Sequence, residues 1–250
     1  MTHFARDVRL AARSLARQPA MALLAILAFS LGIGLVTTMF SITDGALRDL
    51  PFERADRLMH LERNNLAQDI DSMEVTYHDL LDWREAQRSF ESLAGYYQGT
   101  INLSGDGEEP TRYRGAFMSD NAFALLRAKP ALGRTFAPGD DGPGSDRVVV
   151  LGWKLWQARF GGRPDIVGRT IRVNGTPREV IGVMPEGFLF PIREEIWATL
   201  PHDPARLRRG QGETLEVLGR LRDGVTADQA AADLSRIAAR LAKQLSLIHI

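Results

Sequence analysis

The feature that most constrains this chain is an uncharged, apolar stretch near its amino terminus. No charged side chain occurs between Gln18 and Thr43, and Ala20–Ile42 alone gives 23 residues. A helix of that length reaches about 35 Å, more than the roughly 30 Å hydrocarbon thickness of a bilayer. The alternatives are a signal peptide, whose apolar region is shorter at about 7–15 residues, and a buried globular helix. The sequence therefore predicts a transmembrane helix over residues 19–43.

A short amphipathic segment precedes the predicted span. Apolar residues recur at helical spacing, and four arginines fall on the opposite side; the two sets are Phe4, Val8, Ala11, Ala12, Leu15 and Arg6, Arg9, Arg13, Arg17. This pattern predicts a helix lying on a membrane surface, with an ordinary solvated helix as the alternative. Gln18-Pro19 then breaks the pattern. Since only three arginines follow the span closely, residues 1–18 are predicted to be cytoplasmic.

Small residues share one face of the predicted span. Ala22, Ser30, Gly34 and Thr38 lie at multiples of four residues from one another. In lipid, small side chains let helix backbones approach closely, so this face is predicted to pack against partner transmembrane helices. Because small residues are common in membrane helices, a lipid-exposed face is the alternative.

Composition excludes several classes of protein. The 250 residues carry 31 basic and 31 acidic side chains, so the chain lacks the overall basic field of many nucleic-acid-binding proteins. The chain has no cysteine, which excludes disulfides, cysteine-ligated zinc, iron–sulfur clusters and thiol catalysis. An apolar content of 44% supplies a core for one or two domains.

The residues after the span read as a folded α+β domain, because strands and helices occur without strict alternation. Predicted strands are 58–61, 94–103, 111–118, 147–151, 169–174, 178–183, 196–200 and 215–221. Predicted helices are 76–87, 120–126, 153–160 and 226–245. Thr76 and Thr226 are expected as N-caps, and Asn174-Gly175 is a strong hairpin signal.

Motifs of catalysis and ligand binding are missing from the sequence. The chain contains no Walker phosphate loop, no nucleophile elbow and no H-E-x-x-H zinc motif. His78, Asp79 and Asp82 form the densest polar cluster, which is interpreted as a solvated helix face. The basic run Arg206–Arg209 is interpreted as a solvated loop, and the tryptophans as core residues. The sequence therefore predicts no catalytic, cofactor-binding or metal-binding residue.

Six segments, in order, resemble one family of membrane proteins. They are LARQPAMALLAILAFSLGIGLVTTMFSITDGALRDLPF (15–52), VTYHDLLDWREAQRSFESLAGY (75–96), FALLRAKPALGRTF (123–136), RVVVLGWKLWQARFGG (147–162), DIVGRTIRVNGTPREVIGVMPEGFLFP (165–191) and VLGRLRDGVTADQAAADL (217–234). Together they resemble the amino-terminal half of a repeat in MacB-like, FtsX-type ABC transporter permeases, especially the large duplicated ones. The resemblance covers about residues 4–243.

The resemblance implies an inner-membrane protein with a periplasmic core domain over residues 44–245. It implies two lobes, a membrane-proximal one of residues 54–110 and 213–245 and an inserted one of residues 111–212. It further implies no catalytic residues or cofactor, a separate ABC ATPase subunit, additional transmembrane helices, and a possible second copy or periplasmic adaptor. The family's remaining helices are not in this sequence, so a fragment of a larger permease is expected. Residues 246–250 do not resemble the family and are interpreted as a foreign tail.

The expected function is therefore that of a permease subunit in an ABC-type exporter. It would transmit motion from the cytoplasmic ATPase to the periplasmic domain. The alternative is a regulatory or scaffolding membrane protein whose outer domain controls an envelope enzyme. Neither the transported substrate nor the oligomeric state follows from the sequence.

Overall fold

The structure, a computed structural model, describes most of the chain after the predicted span. The described residues are 52–65, 70–73, 75–105, 109–142, 145, 147–200, 208–209 and 211–248. All of them belong to one compact unit, Pro51–Ile250. The predicted surface helix and the predicted span lie outside the described residues. Within the described part, no helix is both long and apolar enough to cross a bilayer.

Four α-helices occur in the described part of the chain. They are α1 (Tyr77–Ala86), α2 (Ala122–Leu126), α3 (Trp153–Phe160) and α4 (Ala227–Ile248). Single turns of 3-10 helix lie at Ala55–Arg57 and Pro164–Ile166. All four predicted helices are thus confirmed, and α4 extends past the predicted end at residue 245.

Local hydrogen bonds explain where α1 and α4 begin. The Thr76 hydroxyl accepts from the Asp79 amide at 3.3 Å, and the Asp79 carboxylate accepts from the Thr76 amide at 3.3 Å. Thr226 and Gln229 form the same reciprocal pair, with distances of 3.3 and 3.0 Å. Each pair satisfies backbone donors that have no partner inside the helix, so both N-cap predictions are confirmed.

Eleven strands occur in the described residues. They are β1 (Leu58–Leu61), β2 (Arg63–Asn65), β3 (Ile70–Met73), β4 (Phe90–Ser104), β5 (Thr111–Met118), β6 (Leu132–Gly133), β7 (Val148–Leu151), β8 (Thr170–Val173), β9 (Thr176–Val183), β10 (Ile196–Thr199) and β11 (Glu216–Leu221). The eight predicted strands are all present. Sequence patterns missed β2, β3 and β6, and they underestimated the length of β4.

Nine of these strands form one mixed sheet. Its order is β1-β11-β4-β5-β10-β7-β9-β6, with β8 paired to both β4 and β9, while β2 and β3 form a separate hairpin. The pairs β10–β5 and β7–β9 are parallel, and the other pairs in the sheet are antiparallel. This mixture of strands and helices confirms the predicted α+β class.

The sheet carries a hydrophobic core on each face. Successive strand residues point to opposite faces, so β7 contributes Val149 and Leu151 to one core and Val148 and Val150 to the other. Helices α1, α3 and α4 pack in the first core, and α2 packs in the second. Strands at the centre are therefore buried on both sides, which explains the continuous apolar run of β7.

The tight turn between β8 and β9 follows the sequence prediction. Asn174 and Gly175 have φ angles of 49° and 76°, and Val173 pairs directly with Thr176. Positive φ at both central residues defines the type of turn that matches the twist of an antiparallel hairpin. The Asn174 carboxamide also accepts from the Asn102 amide at 2.8 Å, which joins this hairpin to β4.

Candidate functional site

The first described residues enter the domain beside a buried arginine. Arg220 of β11 is only 2% exposed. Its Nε donates to the carbonyl of Leu125 in α2 at 2.7 Å, and its Nη1 donates to the carbonyl of Arg54 at 3.0 Å. One guanidinium therefore joins the entering chain, the sheet and α2.

A second arginine closes the same junction. Arg57, in the 3-10 turn, is 6% exposed, and its Nη2 donates to the Glu91 carboxylate at 2.5 Å and to the carbonyl of Leu221. Its Nη1 lies 2.9 Å from the Asp223 carboxylate. Arg57 therefore ties the entering chain to β4 and to the end of β11. We call Arg57 and Arg220, with the groups they bind, the entry clamp.

The pKa of Arg220 lies below its ordinary value. Burial lowers the pKa of Arg220, the charges of Arg127 and Arg57 lower it further, and those of Glu91 and Glu53 raise it. Hydrogen bonds from a charged donor are stronger than neutral ones, so the two carbonyls offset part of the desolvation cost. The guanidinium is thus held charged inside the protein by specific acceptors.

Aromatic packing continues the clamp on one side. The ring of Phe52 lies edge-on to Phe188 and Phe190, with centroid distances of 6.1 and 5.7 Å. Phe190 contacts Tyr96 at 5.2 Å, and Phe188 contacts Trp197 at 5.2 Å. Edge-to-face pairs of this kind add specific geometry to simple apolar burial. Phe52 is therefore fixed to the second core rather than lying free in solvent.

Helix α4 is joined to the domain by a buried carboxylate. Asp233 is 7% exposed and accepts hydrogen bonds from the Arg88 amide, the Ser89 hydroxyl and the Arg236 guanidinium, at 2.9, 2.9 and 2.8 Å. Burial acts to raise the pKa of Asp233, but these donors outweigh it and the pKa lies below its ordinary value. Asp233 therefore binds α4 to the loop between α1 and β4.

The polar cluster on α1 is not the solvated face that the sequence suggested. Asp79 and Asp82 have side chains only 13% and 26% exposed. Arg63 lies 2.9 Å from Asp79, and Arg209 lies 3.1 Å from Asp79 and 2.6 Å from Asp82. The sequence prediction of a solvated face is wrong because these arginines are 16 and 127–130 residues distant in sequence and only the fold brings them to α1. Arg209, interpreted as part of a solvated loop, is one of these partners.

The tryptophans lie in or against the core, while the proposed transmembrane packing face cannot be placed. Trp83, Trp156 and Trp197 are 5%, 8% and 0% exposed and Trp153 packs against the core, as predicted. The proposed packing face of Ala22, Ser30, Gly34 and Thr38 lies outside the described residues and stays a prediction. Within the described part, His, Asp and Glu side chains form no group of three suited to a metal ion.

Sequence reasoning missed the residues of the entry clamp and Asp233. Asp233 had a usable signal, because it lies on the same helical face as the buried Ala230 and Ile237, where a carboxylate needs partners. No sequence signal marked Arg220 as buried. Glu216 and Leu218 lie on the same face of β11, and beside the charged Glu216 an arginine resembles a solvent-exposed strand residue.

The fold and these junctions describe an α+β domain whose entering chain is tied to the sheet and to α2, and whose helix α4 is tied to the loop between α1 and β4. The family described as MacB-like periplasmic core domain matches residues 22–237. The chain therefore belongs to this family of ABC transporter permease domains, which lie outside the cytoplasm in inner-membrane permeases. The resemblance noted in the sequence is thereby confirmed.

Solved structures share the fold at low sequence identity. The periplasmic region of MacB from Actinobacillus actinomycetemcomitans has a TM-score of 0.56 and 18% identity, over 74% of this chain and 84% of that one. A domain of a candidate permease from Porphyromonas gingivalis has a TM-score of 0.55 and 14% identity, over 76% of this chain and 84% of that one. Comparison with curated proteins gave no match. At these identities the likeness establishes the fold alone.

Proposed function

We propose that this chain is part of the permease subunit of an ABC-type exporter and acts as a mechanical transmitter. Residues 19–43 form its first transmembrane helix, residues 1–18 lie on the cytoplasmic surface, and the domain after residue 44 lies outside. A separate ATPase moves the membrane helices, and the domain follows. The observation that carries this proposal is the entry clamp, because a domain that is pulled through its connecting chain must hold that chain firmly.

The clamp has the properties that force transmission requires. A surface turn held by solvent-exposed contacts would unfold locally before it moved a domain, since exposed contacts open at low free-energy cost. Here Arg57 and Arg220 are buried and each bridges at least two elements distant in sequence. Asp233 supplies the equivalent junction for α4. Motion of the entering chain is therefore passed to the sheet, and motion of α4 is passed to the loop that leads into β4.

The two-lobed organisation is part of the same proposal. Strands β1 and β11 at one end of the sheet belong to the predicted membrane-proximal lobe, residues 54–110 and 213–245. Strands β10, β7 and β9 belong to the predicted inserted lobe, residues 111–212. The long pair β4–β5 joins them through eight residue pairs, in which Tyr96–Leu103 runs antiparallel to Thr111–Met118. Such a continuous pair supports movement of the lobes together.

The test uses a fluorophore on the full-length protein reconstituted with its ATPase. These 250 residues contain no cysteine, so once any cysteine elsewhere in the full-length protein and its ATPase is replaced, Lys154→Cys on the exposed side of α3 gives a single labelling site. We expect ATP to change the fluorescence only when the ATPase is present, and the change to be lost in Arg220→Met. Arg178→Met, which removes a buried arginine of β9 away from the clamp, is the matched control and keeps the change. A response that persists without the ATPase contradicts the coupling.

Topology is tested separately by reporter fusion. A periplasm-active phosphatase inserted at Gly139, where a side chain would meet no neighbour within 4 Å, is expected to be active. An inactive phosphatase together with an active cytoplasmic reporter at the same position would reverse the proposed orientation.

A further inference from the structure

The loop before β10 exposes two large apolar side chains. Leu189 is 44% exposed and Ile192 is 62% exposed, and within the described residues these are the exposed large hydrophobics. They lie in the run Phe188-Leu189-Phe190-Pro191-Ile192, five apolar residues in succession. An isolated exposed leucine needs no explanation, but two large apolar side chains exposed three residues apart on one loop indicate a contact with something apolar.

The loop is held rigidly, so the exposure is built into the fold. Phe188 and Phe190 point inward and pack on Trp197 and Tyr96. The Trp197 indole donates to the carbonyl of Phe190 at 2.8 Å. Beyond the loop, the buried Glu194 accepts from the Ile192 amide at 2.6 Å and from the Gln98 carboxamide at 2.8 Å. The structure therefore turns two neighbours inward and fixes Leu189 and Ile192 outward.

The loop also lies against the residue by which the chain enters the domain. Both Phe188 and Phe190 contact the ring of Phe52. Phe52 is eight residues beyond Asp44, the first charged residue after the predicted span. Even in a fully extended conformation, the chain can separate these two residues by at most about 29 Å. In the proposed topology, in which the span ends at Thr43, the loop therefore packs on a residue that the covalent chain holds within about 29 Å of Asp44.

We propose that Leu189 and Ile192 insert into the headgroup region of the outer leaflet and dock this end of the domain on the membrane. The exposed Arg193 beside them suits the phosphates of the lipid headgroups. A shallow insertion of this kind limits tilting of the domain about its connecting chain. The proposal rests on the membrane anchor of the proposed function.

The experiment attaches a fluorophore to the Ile192→Cys variant of the full chain, which is then reconstituted in phosphatidylcholine–phosphatidylglycerol vesicles. Lipids carrying a quencher close to the headgroup are then added. The matched control is Pro177→Cys. Pro177 is exposed near the start of β9, at the opposite end of that strand from the loop. The eight residues from Pro177 to Pro185, where the chain leaves β9 toward the loop, span about 26 Å in extended conformation. We expect the lipid quencher to reduce fluorescence at position 192 and to leave position 177 unchanged. Adding Leu189→Asp should abolish the quenching at 192.

The outcomes separate this proposal from the proposed function. Resistance of the chain to extraction from the vesicles by alkaline carbonate reports the anchor independently of the loop. If the chain is anchored and a water-soluble quencher reduces the fluorescence at positions 192 and 177 equally, the docking is overturned and the anchor is left intact. Shielding of position 192 from both quenchers also overturns it, because the loop would then be covered by protein. Loss of carbonate resistance overturns the anchor itself.

Discussion

Replacing Arg220 by methionine should loosen the entry clamp without removing apolar volume from the core. The buried carbonyl of Leu125 would lose its donor, which costs about 1–3 kcal/mol. The carbonyl of Arg54 is only part-buried and can bind water in place of Arg220, so the loss of this hydrogen bond costs less, about 0.5–1.5 kcal/mol.

Part of this cost is recovered. Burial lowers the pKa of Arg220, and its Nη2 is buried with no hydrogen-bond partner among the described residues, so removing the charge relieves an unfavourable desolvation. The net loss of unfolding free energy is therefore about 2 kcal/mol, which lowers the melting temperature of a domain this size by about 4–8 °C.

The control is a second buried arginine, Arg178, whose contacts with its acceptors are longer than those of Arg220. Burial lowers the pKa of Arg178 to about 10, with the charge of Arg147 adding to the effect. Its Nε has no partner among the described residues, and its Nη1 reaches Thr199 at 3.2 Å and the carbonyl of Val148 at 3.4 Å. Since each pKa unit is about 1.4 kcal/mol, Arg178→Met should be neutral or stabilising by up to about 3 kcal/mol.

Two measurements on the full chain distinguish the variants. Thermal unfolding followed by circular dichroism gives the stabilities. Hydrogen exchange gives the local effect, which should be faster exchange over residues 52–57 in Arg220→Met, where the Arg57 amide donates to the Arg54 carbonyl at 3.1 Å. Equal melting temperatures and equal exchange for Arg220→Met and wild type would refute the clamp.

Three further predictions concern single groups. Burial raises the pKa of Tyr96 to about 12, so its contribution to stability is complete below pH 10 and lost as the pH rises to 12; alkaline unfolding curves should show that Tyr96→Phe lacks this loss. Asp233 has a lowered pKa, so Asp233→Asn should cost about 1.5–3 kcal/mol at neutral pH. In acid unfolding, that difference should shrink as the pH falls below 3.8 through the native pKa, and a difference that stays constant contradicts the assignment. In the membrane, Gly34→Leu should impair assembly of the permease while the volume-conserving Leu27→Ile does not, and equal cross-linking yields for both would leave the face exposed to lipid.

Local elements of this protein follow from the sequence because their causes are local. The capping pairs at Thr76 and Thr226 involve residues three positions apart, and the Asn174-Gly175 turn depends on the φ preferences of two adjacent residues. The apolar run Val148–Leu151 identifies a strand buried on both faces. The uncharged stretch Gln18–Thr43 predicts a membrane span by its length alone.

Long-range pairing was decided only by the tertiary structure. No local pattern places β10 between β5 and β7, or lengthens β4 to 15 residues so that it pairs with β11, β5 and β8. The short strand β6 could not be predicted, because an alternating pattern cannot be recognised in two residues.

The entry clamp illustrates the same division. By its sequence neighbours Arg220 is an ordinary polar residue of a strand, and the acceptors that make its burial tolerable lie 95 and 166 residues away. The partners of Asp79 and Asp82 are equally remote. Sequence alone therefore determined the class of protein, its local elements and its predicted anchor. Tertiary structure decided which charged side chains are buried, because a buried charge is stable only where the fold brings it distant partners.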